Sequence, residues 1–411
     1  MNKKKKIIKK FFITLTILFI SRVTIFIPIP SINQKKLIKN INQNIIINFL
    51  NIFSGSNYLT IGIFSLGIIP YINSSIIIQI FIKIIPKLKN IQNNEGELGK
   101  QKINQITRYL TVVWAIIQSL YISKWIKPYL LNWNNNSITI LVLSLITSSI
   151  IIMWFSEIIT EYGIGNGSSL LIFQNIISNI PKSLQKYTLN NKYNSITIFF
   201  LLFISIIILM INIIIQDSKR KIKIISIKEL GQKNKINLQN YIPLKLNQGG
   251  IIPIISASTI ITLPQYILLI FNNKKTIVHI IIAYILSNKL LYLIIYSILI
   301  IVFNYFHSST IINSQDITKN LQKMNADILD LKPGLESTKY LNKIINKLIF
   351  IGSFFLFIIA QYPFIIFQIT KINLLERLGT TAYLILVAVA IDTTKQIQIY
   401  ILSEQYKNII K

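Results

Sequence analysis

Few residues in this sequence could take part in bond-making chemistry, and their spacing narrows the field further. The only two histidines, His279 and His307, stand far apart, and there is no cysteine. Disulfides, thiolate metal sites and cysteine nucleophiles are therefore excluded, and the apolar runs supply no carboxylates for a histidine-based metal site. Both histidines read as membrane-edge or loop residues. Gly96-Glu97-Leu98-Gly99-Lys100 lacks the four-residue gap of a phosphate-binding loop. Gly163-Ile164-Gly165-Asn166-Gly167 joins two apolar runs of helical length rather than a strand and a helix, so it reads as a tight turn needing positive φ. These motifs assign no catalytic residue, no cofactor site and no metal site, and the chain reads as a non-enzyme.

Ionisable residues within or beside the apolar runs are the other chemical possibility, because a coupled transporter needs such groups near the bilayer midplane. They are Arg22, Lys83, Glu157, Lys289 and Asp392. All but Arg22 lie near the ends of their runs, where they can reach the interface. Arg22 lies well inside and has no acidic neighbour in sequence, which suits a structural or pore-facing role. No ion pathway can be assembled from these five, and a secondary solute transporter stands as the alternative reading.

The elements that position these residues are membrane helices. The chain is 52% hydrophobic and 14% charged, against about 25% charged in soluble domains. Residues 138–156, 195–215 and 346–367 contain almost no charge, and about 20 apolar residues suffice to span the hydrocarbon core. Ten spans fit: 11–29, 64–85, 107–124, 138–158, 166–180, 195–215, 250–271, 290–309, 346–367 and 376–398. The basic start and apolar run at 1–29 imitate a signal peptide. The run ends in Pro28-Ile29-Pro30 without a small-x-small cleavage site, so it reads as the first span. With the amino terminus inside, the inside segments carry 28 Lys and Arg residues and the outside connections 12, which places both termini inside. The net charge of +30 is then topological, since no basic and aromatic pattern of an RNA-binding module accompanies it. Richness in Ile, Asn and Lys, which AT-rich codons encode, points to an organellar or reduced genome.

Two passages repeat. Gly67-Ile68-Ile69-Pro70 opens the second span and Gly250-Ile251-Ile252-Pro253 the seventh. Five spans apart, they enter the membrane from opposite sides, as in an inverted repeat. The expected fold is an all-α membrane protein of ten transmembrane helices in two inverted five-helix halves. A basic tail (1–10) precedes the first half (11–180); a hinge connection (181–194) leads to the second (195–398), and a tail (399–411) follows. Ile68 and Ile72 share a helix face, as do Ile251 and Ile255. Such faces suit lipid contact or core packing, or else an apolar constriction that blocks ions by dewetting.

The chain also resembles the SecY family. The likeness is carried in order by Gly67 to Ile72 with Gln79, Glu95-Gly96-Glu97, Thr107-Arg108-Tyr109-Leu110, and Ile159 to Ser169. It continues with Ile242-Pro243-Leu244-Lys245 before Gly250 to Pro253, and with Lys332-Pro333-Gly334. The resemblance implies a clamshell channel that passes unfolded polypeptides and releases hydrophobic segments sideways. It places a pore ring at Ile68, Ile72, Ile172, Ile255 and Ile385. A plug would lie within about 51–63, including Asn51, Phe53, Ser54, Gly55 and Ser56. A lateral gate would involve Ser74, Ser75, Gln79, Ala257 and Ser258. The inside loops 216–248 and 310–347 would dock a partner through Lys219, Arg220, Lys221, Lys332, Pro333 and Gly334. Ser168 stands where many relatives have an apolar ring residue, and Lys332 where relatives usually have arginine. The implied partners are a SecE-like small membrane subunit, a SecG-like subunit, a SecA-type ATPase or a ribosome, preprotein substrates and membrane lipid. The implied location is a plastid thylakoid membrane, with a bacterial plasma membrane as the alternative.

Overall fold

A computed structural model of the chain describes residues 2–29, 32, 62–130, 134–189, 195–226, 241–270, 284, 288–329, 331–332, 334–370 and 382–409. Its helices are α1 (Asn2–Thr24), α2 (Ile69–Ile84), α3 (Pro86–Asn94), α4 (Gly96–Ile126), α5 (Asn135–Tyr162), α6 (Gly167–Leu189) and α7 (Ser195–Asp217). Then come α8 (Ile252–Ile270), α9 (Lys289–Ile311), α10 (Ser314–Lys323), α11 (Leu335–Thr370) and α12 (Ala382–Ile409). Three strands, β1 (Lys219–Ser226), β2 (Tyr241–Lys245) and β3 (Ala326–Ile328), form a sheet of order β2-β1-β3.

Every expected span meets a helix, but the helices obey backbone chemistry rather than hydropathy. α1 starts at Asn2 and takes in the lysine run, since Lys is a good helix former. It stops at Thr24, since Pro28 has no N–H to give to Thr24 O and disfavours the α region at Ile27. Ile85, just before Pro86, is likewise extended (φ −99°, ψ 109°), and this separates α2 from α3. Gly96 (φ +57°) lets α4 begin in the connection expected as a loop. α6 continues through Pro181 to Leu189, past the expected end of its span at 180. By length and apolarity, five stretches among the described residues suffice to cross a membrane: Ile63–Ile84, Asn135–Tyr162, Leu290–Lys323, Leu335–Tyr362 and Leu384–Ser403.

The chain divides into two compact units. The first comprises Met1–Thr197, Thr259–Asn288 and Pro363–Lys411. In it α2 packs on α4, α4 on α5, α1 on α5, and α6 on α12. Ile29, Ile32, Leu66, Tyr121, Ile122, Ile126, Leu141 and Leu145 make one buried apolar cluster. Its outer faces are greasy: Phe11, Phe12, Leu15 and Phe19 on α1 and Ile140, Leu143 and Trp154 on α5 are exposed. Exposed apolar surface on this scale marks a lipid-facing wall.

The second unit comprises Ile198–Ser258 and Lys289–Tyr362. α7 exposes Phe199, Phe203, Met210 and Ile214, again a lipid-facing wall. Beyond the apolar runs, β1 of the antiparallel sheet opens on the exposed Lys219 and Arg220 and then alternates lysine outward and isoleucine inward along Lys221-Ile222-Lys223-Ile224. Ile222, Leu244 and Ile328 from its strands pack with Leu321 on α10 and with Leu341, Ile344, Ile345, Leu348 and Ile349 on α11. Outside the bilayer, burying each such side chain stabilises by about 1.5–3 kcal/mol.

Candidate functional site

The two repeated passages fold alike. Gly67 and Gly250 both have φ in the left-handed region, at +54° and +62°. Only glycine takes such values freely. Each is followed two and three residues on by isoleucine and proline, the proline sitting in the first turn of α2 or α8, where its missing N–H leaves no bond unmade. Ile72 N donates to Ile68 O at 3.1 Å, and Ile255 N to Ile251 O at 3.2 Å. Ser74 Oγ then donates to Pro70 O (2.7 Å) and Ser256 Oγ to Pro253 O (2.8 Å). Hydroxyls returned to their own helix need no partner on a neighbour, which allows close helix packing at these positions.

All five isoleucines of the expected ring are buried, none more than 9% exposed. Ile68 and Ile72 lie at the start of α2, Ile172 on α6 and Ile385 on α12, the last two helices packed together in the first unit. Ile255 lies on the segment of α8 that belongs to the second unit. The glycine turn between α5 and α6 holds α6 in place. Gly165 has φ +97°, and a Cβ there would press on Thr393 of α12. A Cβ at Gly167 would strike Ser156 O, while Thr160 Oγ1 accepts from Gly167 N at 3.0 Å. Asn166 Oδ1 caps α6 by accepting from Ser168 N (3.1 Å) and Ser168 Oγ (2.8 Å). Ser168 thus turns its hydroxyl to the cap.

Of the expected gate residues, Ser74, Ala257 and Ser258 are buried and Ser75 and Gln79 half-buried. Gln79 Nε2 reaches Ser75 Oγ at 3.5 Å. The expected plug residues Asn51, Phe53, Ser54, Gly55 and Ser56 lie outside the described residues. At the end of that segment Gly62 pairs with Pro28, and Ser148 Oγ on α5 donates to Ile63 O at 2.8 Å.

The sheet unites the two expected docking loops. β1 and β2 come from 216–248 and β3 from 310–347, with Ile224 opposite Ile328. Lys219, Arg220, Lys221, Lys223 and Lys245 are exposed together on it, as is Lys332 in the turn after β3. Gly334 (φ +105°) lets that turn close; Lys332 O accepts from Ser337 Oγ at 2.9 Å. Pro333 lies outside the described residues.

The ionisable candidates do not converge on a site. Glu157 is held by Arg108 (Nε to Oε1 2.8 Å), which joins α5 to α4. Arg22 lies over the Phe26 ring at 5.6 Å. Asp392 is exposed and Lys83 half-buried; the Lys289 side chain and His279 lie outside the described residues. His307 is buried in α9, edge-on to Phe306 at 5.9 Å. Among the described residues no group of His, Asp and Glu could hold a metal ion.

Comparison with solved structures defines the class of fold. The structure of a protein-conducting channel matches with a TM-score of 0.71 at 16% identity, over 99% of this chain and 95% of that one. Sec61 in the canine ribosome-channel complex from the endoplasmic reticulum matches at 0.67 and 15%, with the same coverage. The fold is therefore that of these channels, ten transmembrane helices in two halves. The family model named SecY matches residues 62–394. Protein translocase subunit SecY of Pyropia yezoensis is 48% identical over the whole of both chains. The subunit of Synechocystis sp. is 41% identical over 97% of this chain and 93% of its own. This chain belongs to the SecY family.

Proposed function

We propose that this multi-pass membrane protein is the central pore-forming subunit of a Sec protein-translocation channel, a non-enzymatic conduit for unfolded polypeptide. The observation that carries the reading is its end-to-end likeness to translocase subunits. Ile68, Ile72, Ile172, Ile255 and Ile385 form the apolar ring; all are buried, as a dewetting constriction between helices requires. The lateral gate runs between α2 and α4 of the first half (11–180) and α8 and α9 of the second (195–398), past Ser74, Ser75, Gln79, Ala257 and Ser258. The plug lies within about 51–63. Chemical work comes from a partner, and the exposed lysines and arginine of the sheet suit an acidic or polyanionic one.

A translating ribosome fits that charge, and one solved neighbour is a ribosome-channel complex. A SecA-type ATPase would use the same surface, and small SecE-like and SecG-like subunits would flank the helices. We infer that both termini lie on one side of the membrane, a reading supported by Lys10 Nζ, which lies 3.3 Å from Tyr400 OH and 4.4 Å from its ring centroid. The lysine excess supports the stroma or cytoplasm as that side. Relatives from Pyropia and Synechocystis favour a plastid thylakoid membrane.

The ring is tested by Ile72→Asn. A polar side chain eases wetting, so planar-bilayer recordings of the reconstituted complex should show resting conductance raised several-fold over the parent. Unchanged conductance would remove Ile72 from the ring.

A further inference from the structure

The buried face of α1 repeats at Thr14, Ile17, Ser21 and Ile25, a spacing of three or four that sets them on one stripe. Near its start that stripe meets the glycine turn between α5 and α6, where a Cβ at Gly163 would collide with Thr14 Cγ2. Further along, it meets α6 itself through Gln174. The Gln174 Nε2 donates to Leu18 O at 2.7 Å, and its Oε1 accepts from Ser21 Oγ at 3.1 Å.

Ser21 Oγ also lies 2.7 Å from Leu18 O, but a hydroxyl has a single proton to give, and a carbonyl oxygen has two lone pairs. With the α1 ladder and the Gln174 amide both on Leu18 O, the Ser21 proton goes to Oε1. The opposite amide orientation would set Oε1 against Leu18 O, two acceptors with no proton between them. Gln174 is thus clamped at both ends, donor and acceptor, to a single turn of α1. In hydrocarbon no water stands ready to replace such bonds.

The clamp fixes rotation. The close approach of Gly167 to Ser156 O holds the first residue of α6, yet a helix held at one end can still turn about its own axis. Gln174 supplies a second hold seven residues on, about 10 Å along the helix and on nearly the same face as Gly167. Ile172 stands two residues from Gln174, about 200° around the axis, so it is presented on the face turned away from α1. Ile176, four residues on, shares that face, and both isoleucines are buried. On its other sides α6 packs on α5 and α12.

Resting on the apolar ring proposed above, we infer that Gln174 is a positioning residue of that ring: its amide, clamped to Leu18 and Ser21, sets the rotation of α6 at which Ile172 is presented to the passing polypeptide. α1 lends no side chain to the ring and takes part in it through this amide.

The chain has no cysteine of its own, so single cysteines report rotation without background. Leu171→Cys, Ile172→Cys and Phe173→Cys would each be placed in the full reconstituted complex. Each is then oxidised against a secretory chain that carries one cysteine and is stalled in mid-passage. In the parent background the adduct yield at 172 should exceed those at 171 and 173; without that maximum Ile172 leaves the ring, and this inference falls with it. Gln174→Leu keeps the bulk and loses both bonds. In that background the ratio of the yield at 172 to those at its neighbours should fall roughly threefold, the factor that a typical interhelical hydrogen bond in a membrane is worth. Ser21→Ala leaves the bond to Leu18 O and should lower the ratio in the same sense by less. Tm is measured alongside, because a purely stabilising contact would lower Tm and leave the ratio where it was. An unchanged ratio in Gln174→Leu would overturn the positioning role while the ring itself stands. Should that variant fail to assemble, an unchanged ratio in Ser21→Ala overturns it equally.

Discussion

At Gly67 the chain enters α2 from a tight turn, Ile63–Leu66, in which Leu66 is wholly buried among Ile29, Tyr121, Ile122, Leu141 and Leu145. At Gly250 it enters α8 from a polar turn that hangs on β2 and keeps two buried amides incompletely satisfied. The two starts share their glycine conformation, their proline and their isoleucine spacing; they differ in what holds them. One is seated in apolar packing and the other in a polar turn continuous with the basic sheet.

The largest expected effect comes from exchanging chemistry between the two seats. Leu66→Ala should destabilise by about 2–5 kcal/mol, as for other buried leucines. Gln248→Leu should be neutral or stabilising, because it removes a buried amide lacking partners among the described residues. Thermal unfolding of the purified complex should show Tm falling for the first and not for the second; a matching fall in both would erase the contrast. Smaller effects are expected at the glycines. Gly67 combines φ +54° with ψ −142°, a region costing another residue about 1–3 kcal/mol. Around Gly250 a Cβ would meet open space, leaving only the left-handed penalty of about 1–2 kcal/mol. Gly67→Ala should therefore lower Tm more than Gly250→Ala, and the reverse order would mean that the second start is the more rigidly held.

Spans and the glycine turn were legible in the sequence because apolar runs and φ-specific residues carry local information. Helix ends were less so: hydropathy stops at the membrane face, whereas Lys100-Gln101-Lys102 still favours helix beyond it. The strand β1 was visible in principle, as the alternation Lys221-Ile222-Lys223-Ile224 has a period of two. Read only as topological charge, that alternation concealed the sheet. The Arg108–Glu157 and Lys10–Tyr400 contacts join residues 49 and 390 positions apart, and no spacing rule reaches that far. The close fit of Gly352 to Leu246 O depends on a missing side chain, and a lone glycine in an apolar helix gives no sign of what approaches it.

A photoreactive amino acid placed in turn at Ile72, Ile255 and the lipid-exposed Phe203, with a secretory chain stalled in mid-passage, tests the channel most directly. Adducts to the stalled chain should form at Ile72 and Ile255 and not at Phe203. Adducts of equal yield at all three positions, or none at the two isoleucines, would contradict a pore lined by those side chains.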